Sequence, residues 1–211
     1  MKKKILGIGH PRTGTGYTSK LLNSWGLCVG HEKMSDDGII CWQFTNHNNE
    51  DLPYLEDKSL RPENYSFDTI IYNVRNPLYS LPSILYTEES SLEYRSKFVN
   101  IDTTQNILSQ AIDSLIGWDG LVKNNHVDII YRIEDQHKFL FDNLKQKYDD
   151  IVWDSSWMDK PYNERYHLSF DSILELIKDV DKKKLCQVNA YCIKYGYNPI
   201  FNTKKFILID N

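Results

Sequence analysis

At 211 residues, 41% of them hydrophobic and 26% charged, the chain is sized for one domain with a sizeable buried core, read here as spanning 1–211. Its net charge of −4 excludes a general nucleic-acid binder, which would carry a basic stripe. No run approaches the roughly 18 apolar residues of a membrane span, and the apolar stretch behind Lys2, Lys3 and Lys4 meets His10, Pro11 and Arg12 too early for a signal peptide. Cys28, Cys41, Cys186 and Cys192 show no C-x-x-C spacing and no matching histidine pairs, so no metal site is expected. Without a secretory signal they are expected to stay reduced in a cytoplasm, as small core residues.

The first predicted element is a short buried strand over Lys4 to Ile8, followed by the glycine-rich run Gly9 to Gly16. Tyr17, Leu21, Leu22 and Trp25 then recur at helical spacing, predicting a helix over Thr15 to Trp25. A glycine-rich loop at a strand-to-helix junction is a phosphate cradle: backbone N–H groups and the helix dipole bind an anion without any side chain. Gly9 and Gly14 have Walker spacing, but Thr15 and Gly16 stand where Lys and Ser/Thr would be required. The cation, Arg12, instead precedes the second glycine.

Leu27 to Gly30 reads as a second strand, which puts His31 and Glu32 at its carboxyl end, the ligand edge of an open α/β sheet. Ser35 to Tyr65 is polar and interrupts the alternation, either as a lid facing an acceptor or as a plain surface loop. Within it, Ile39 to Phe44 is apolar enough to pack near the cleft or the core. Asp68 to Val74 reads as a buried parallel strand ending at Arg75, with Pro77 suited to the first turn of the next helix. Pro82 falls inside that helix, where a regular turn would lose about 3 kcal/mol, so a kink or a 3₁₀ segment is expected.

An amphipathic helix of about five turns is predicted within Leu92 to Val122 from Ile107, Leu108, Ala111, Ile112, Leu115, Ile116 and Leu121. Val127 to Ile133 is a further strand, with Asp135 as N-cap of a helix running to about Tyr148. Trp153, Trp157, Tyr162 and Tyr166 either line a pocket or pack in the core. Ser169 to Lys178 and Asp181 to Tyr195 are two more helices, and Phe206 to Ile209 a last strand. Alternating strands and helices without internal repeats give an α/β fold: a P-loop-like, doubly wound three-layer sandwich with a mainly parallel central sheet.

The order Pro11-Arg12-Thr13-Gly14-Thr15 resembles the 5′-phosphosulfate loop of sulfotransferases that use 3′-phosphoadenosine 5′-phosphosulfate (PAPS), with Gly16 where a hydroxyl is usual. Arg75, Pro77 and Ser83 are similar to the 3′-phosphate motif of the same family, and Ser80 sits one turn earlier on the same helical face. The resemblance is clear through about Ser83 and holds only in outline beyond it. The Gly-rich basic segment near the C-terminus of the cytosolic eukaryotic branch has no counterpart here.

The resemblance implies a donor site made by Arg12, Thr13, Gly14, Thr15, Gly16, Tyr17, Arg75 and Ser83, with Tyr17 stacked on adenine. It implies Glu32 as the base, His31 in second place, Arg12 as the charge-stabilising cation, and 3′,5′-bisphosphoadenosine (PAP) as product. The expected acceptor is a hydroxyl or amine of a small molecule or glycan. Two other classes stay open: a degenerate P-loop kinase, against which the missing Walker lysine speaks, and a catalytically silent nucleotide-binding module.

Overall fold

The computed structural model describes residues 4–46, 52–85, 89–158, 170–205 and 207–209. The sequence readings at Lys2, Lys3, His47 to Asn49, Tyr162, Tyr166, Ser169 and Phe206 lie outside them. The chain divides into two compact units. One comprises residues 1–74 and 121–164, the other residues 75–120 and 165–211.

The first unit is a five-stranded, wholly parallel sheet of β1 (Ile5–Gly9), β2 (Val29–His31), β3 (Gly38–Ile40), β4 (Thr69–Val74) and β5 (Ile129–Arg132). The order is β2-β3-β1-β4-β5, so the strand carrying the glycine-rich loop is central. Because all five run the same way, all five carboxyl ends lie on one edge. Ile5, Val29, Ile40, Ile71, Ile129 and Tyr131 pack on one face against Leu21, Leu22 and Trp25 of α1 (Thr15–Ser24) and Leu140, Phe141 and Leu144 of α5 (His137–Lys145). Leu6, Ile8, Ile39 and Tyr72, at the alternate positions, are buried too. Both faces are thus withdrawn from water, as parallel sheets require.

The strand β3 was not expected. The segment read as an insertion between the second strand and Asp68 contributes a strand between β2 and β1, paired Ile5↔Gly38 and Val29↔Gly38. Three residues are too short for a periodic signal, and the strand depends on Gly38, whose absent Cβ would lie 2.0 Å from the Ile5 carbonyl oxygen. The outer edge of β2 is occupied by α1: Asn23 accepts from the Val29 N–H at 2.8 Å and donates to its carbonyl at 3.1 Å, and the Ser19 hydroxyl donates there at 2.8 Å. Side chains thereby satisfy a strand edge that would otherwise be open to pairing.

The second unit holds α2 (Pro77–Leu85), α3 (Glu89–Ser96), α4 (Ile107–Val122), α6 (Phe170–Ile177), α7 (Lys182–Lys194) and an antiparallel pair, β6 (Phe201–Asn202) with β7 (Ile207–Leu208). Asp181 caps α7, accepting from the Lys183 N–H at 2.8 Å. Lys184 on α7 reaches Asp113 on α4 at 2.5 Å, with both side chains largely buried.

Three expectations need correction. Of the two forms expected at Pro82 the 3₁₀ segment is not found: α2 is α-helical through it, with Leu81, Pro82, Ser83 and Ile84 all buried. Asp135 does not cap α5: the N-cap is Gln136, and Asp135 instead takes a two-pronged bond from Arg132 at 2.9 and 2.6 Å. Only Cys41 and Cys192 are core residues, whereas Cys28 and Cys186 are exposed; all four are free. Burial pushes both core thiols up to about 12. Trp153, which stacks on Trp25 at 5.7 Å and meets Phe141 edge-on at 5.2 Å, packs beside the core. Among the described residues no helix is long and apolar enough to cross a membrane, and no cluster of His, Cys, Asp and Glu could hold a metal ion.

Candidate active site

The loop between β1 and α1 is shaped by its own backbone. The carbonyl of His10 accepts from the N–H of Thr13 at 2.9 Å and from its hydroxyl at 2.7 Å, and His10 Nδ1 accepts from the Arg12 N–H at 3.3 Å. Gly14 then turns the chain in the left-handed region at φ 83°, where a side chain would be strained and its Cβ would lie 2.7 Å from Ile133 Cδ1. The first N–H of α1 with an intrahelical acceptor is that of Thr18, bonded to the Gly14 carbonyl at 2.9 Å. No side chain caps the helix and no acidic residue sits in its first turn. Thr15 and Gly16 therefore present amides at the positive end of the helix dipole, where an anion is bound most readily.

Neighbouring elements brace this cradle. Thr45, at the end of a 3₁₀ turn over Trp42–Thr45, clasps Gly9: its hydroxyl oxygen accepts from the Gly9 N–H at 3.2 Å and lies 3.3 Å from the Gly9 carbonyl. Asn73 on β4 donates to the Thr18 hydroxyl at 2.9 Å, tying α1 to the neighbouring strand. Thr13, Thr15 and Gly16 are buried, while Arg12, Gly14 and Tyr17 are half-buried and form the outer side of the loop. The Tyr17 hydroxyl donates to the Met158 carbonyl at 3.0 Å and meets His137 Nε2 at 2.8 Å, and its ring packs against the core shared by α1 and α5.

His31 and Glu32 stand at the carboxyl end of β2. His31 Nε2 lies 3.3 Å from the Thr15 hydroxyl, so the imidazole touches the first residue of the cradle helix. Burial lowers its pKa below the ordinary 6.5; the Glu32 charge opposes that and Lys20 adds to it. Burial therefore favours the neutral ring. Its other side borders an open cavity of about 460 Å³ between α1 and β2, lined also by Lys20, Asn23 and Ser35. Glu32 is the only described non-glycine residue with positive φ, at 55°, and its Oε1 accepts the indole N–H of Trp42 at 2.6 Å.

The second unit carries the other two expected donor-site residues. Arg75 is the next residue after the last of β4 and is half-buried. Asn76 caps α2, its Oδ1 accepting from the Leu78 N–H at 3.0 Å and its carbonyl from Tyr79 and Ser80 at 2.9 and 3.0 Å. Ser80 and Ser83 lie one turn apart on α2 and are both buried, and the Ser80 hydroxyl makes no hydrogen bond within the described residues.

The parallel sheet thus brings Arg12 to Tyr17 to the same edge as His31 and Glu32. Sequence reasoning missed the roles of Trp42 and Thr45, in the 3₁₀ turn after β3, and of Ile133, the residue after β5, which pack or bond against those groups. For Trp42 the signal was the apolar run Ile39 to Phe44, too hydrophobic to stand in solvent, and for Ile133 the strand run Val127 to Ile133.

No protein-family model matches the chain, and no curated protein sequence matches it. Among solved structures it is similar to mouse sulfotransferase SULT7A1 complexed with PAP, at 17% identity and a TM-score of 0.36. The match covers 75% of this chain and 61% of that one, so the chain spans about three fifths of the neighbour's length.

Proposed function

We propose that this chain transfers the sulfuryl group of PAPS to a hydroxyl or amine of a small-molecule or glycan acceptor, releasing PAP. The observation that carries this reading is the uncapped start of α1: a glycine in the left-handed region, a preceding arginine and no following lysine. The amides of Gly14, Thr15 and Gly16 with the Thr15 hydroxyl hold the 5′-phosphate, while Thr13, whose hydroxyl is given to the His10 carbonyl, shapes the loop around it. Arg12 stabilises the charge that grows on the bridging oxygen, Arg75 and Ser83 take the 3′-phosphate, and Tyr17 borders the adenine. Chemistry of this kind rests on positioning and electrostatics, as phosphoryl transfer does.

In the transfer the acceptor oxygen or nitrogen bonds to sulfur, the bond from sulfur to the 5′-phosphate oxygen breaks, and the acceptor proton passes to Glu32. His31 is the second candidate for the base. What favours it is its neutral ring beside Thr15, whereas one Glu32 oxygen is already engaged by Trp42. Turnover of Glu32→Gln against His31→Asn separates the two, since loss of the base costs on the order of 10²- to 10⁴-fold.

Calorimetry with PAP and with ATP plus magnesium tests the reading. A sulfotransferase takes PAP in preference, whereas a degenerate kinase takes ATP with the metal. A silent module binds PAP but shows no transfer of labelled sulfate from PAPS.

A further inference from the structure

We propose that Trp42 is a positioning residue that fixes Glu32 relative to the phosphate cradle, an inference that rests on Glu32 being the proton acceptor. Glu32 is held at three points. Its N–H donates to the Ile40 carbonyl at 3.0 Å, its own carbonyl accepts from Glu56 at 3.0 Å, and its Oε1 takes the Trp42 indole N–H at 2.6 Å. The backbone at φ 55° is a conformation that a non-glycine residue keeps only when its surroundings over-determine it.

The indole that completes the arrangement is itself immobile. Trp42 is 3% exposed, and Tyr54 packs on its ring at a centroid distance of 5.2 Å. An indole only donates, so Oε1 is the accepting oxygen and Oε2, which makes no hydrogen bond among the described residues, is left for an acceptor. Trp42 also opens the 3₁₀ turn whose last residue, Thr45, clasps Gly9 at the mouth of the cradle. One four-residue turn thereby sets the base in register with the loop that holds the leaving phosphate.

The charged and titratable groups facing Glu32 are few. His31 precedes it on β2, Cys41 adjoins Trp42 and feels its charge, and the exposed Lys33–Glu56 pair closes at 2.8 Å beyond it. None of them donates a hydrogen bond to the carboxylate as Trp42 does.

Two measurements test this. In ¹⁵N-labelled protein, with the indole resonances assigned through bonds, the Trp42 N–H signal is expected to lie downfield, to move as carboxylates titrate and to stop moving in Glu32→Gln. In turnover of PAPS with p-nitrophenol as probe acceptor, Trp42→Phe keeps the ring and loses the N–H. It is expected to lower kcat on the order of tenfold with KM for PAPS unchanged, and to add no further loss to Glu32→Gln. An indole signal indifferent to both pH and Glu32→Gln overturns the proposal, as does a Trp42→Phe enzyme with unaltered kcat. Failure of the unsubstituted chain to bind PAP would instead remove the reading beneath it, and is seen separately from the indole.

Discussion

Two strand-to-helix turns, each leaving one of the paired central strands, solve the same problem in opposite ways. After β4, Asn76 folds its side chain back onto the Leu78 N–H and Pro77 has no N–H to satisfy, so α2 begins with its donors answered from within. After β1, Gly14 supplies no side chain and the first turn has no acidic residue, so α1 begins with its donors facing outward. A helix start of that second kind is suited to an external anion. What the β4 turn has to offer a ligand is the side chain of Arg75. The contrast teaches that the same strand-to-helix junction can either close its helix start with its own side chain, as Asn76 does, or leave the backbone amides uncapped, as Gly14 does.

The largest effect should come from Glu32→Gln, which is expected to lower sulfate transfer on the order of 10²- to 10⁴-fold while calorimetry shows PAP affinity unchanged. Arg12→Ala should follow, weakening PAP about 10- to 100-fold through loss of a charged hydrogen-bond donor. Gly14→Ala attacks the contrast itself. It forces a side chain into the left-handed region against Ile133, with an expected stability loss of about 1–2 kcal/mol in urea unfolding and a loss of PAP binding. Asn76→Ala is the matching change in the other turn: about 1 kcal/mol of stability lost, with PAP affinity unchanged.

The smallest effect concerns pH. Because burial holds the His31 pKa below 6.5 in the folded state, protonation favours the unfolded chain. Its contribution is fully present above pH 6.5 and is lost as pH falls from there through the folded-state value. The urea midpoint should therefore drop less between pH 7.5 and pH 5 in His31→Asn than in the parent.

The sequence carried the elements that have length and period. Lys4 to Ile8 and Asp68 to Val74 are runs of apolar residues long enough to declare buried strands, and α1 shows its core face in Leu21, Leu22 and Trp25. The glycine-rich turn between them was equally legible, since Gly14 stands where the chain turns through the left-handed region into α1, whereas the roles of Arg12, Thr13 and Thr15 come from the family resemblance. Hidden were features decided by tertiary contact. β3 is three residues long and depends on Gly38 fitting against Ile5. Asp135 had a competing partner in Arg132 that no capping rule would weigh. The bond from Trp42 to Glu32 spans ten residues with no periodic signal between them.

The most direct test of the account is calorimetric titration with PAP of the parent chain, Arg12→Ala and Arg75→Ala, with ATP plus magnesium as the competing ligand. One PAP bound per chain, weakened by each arginine substitution and not displaced by ATP, is the predicted result. A chain that ignores PAP, or that prefers ATP with magnesium, would contradict it.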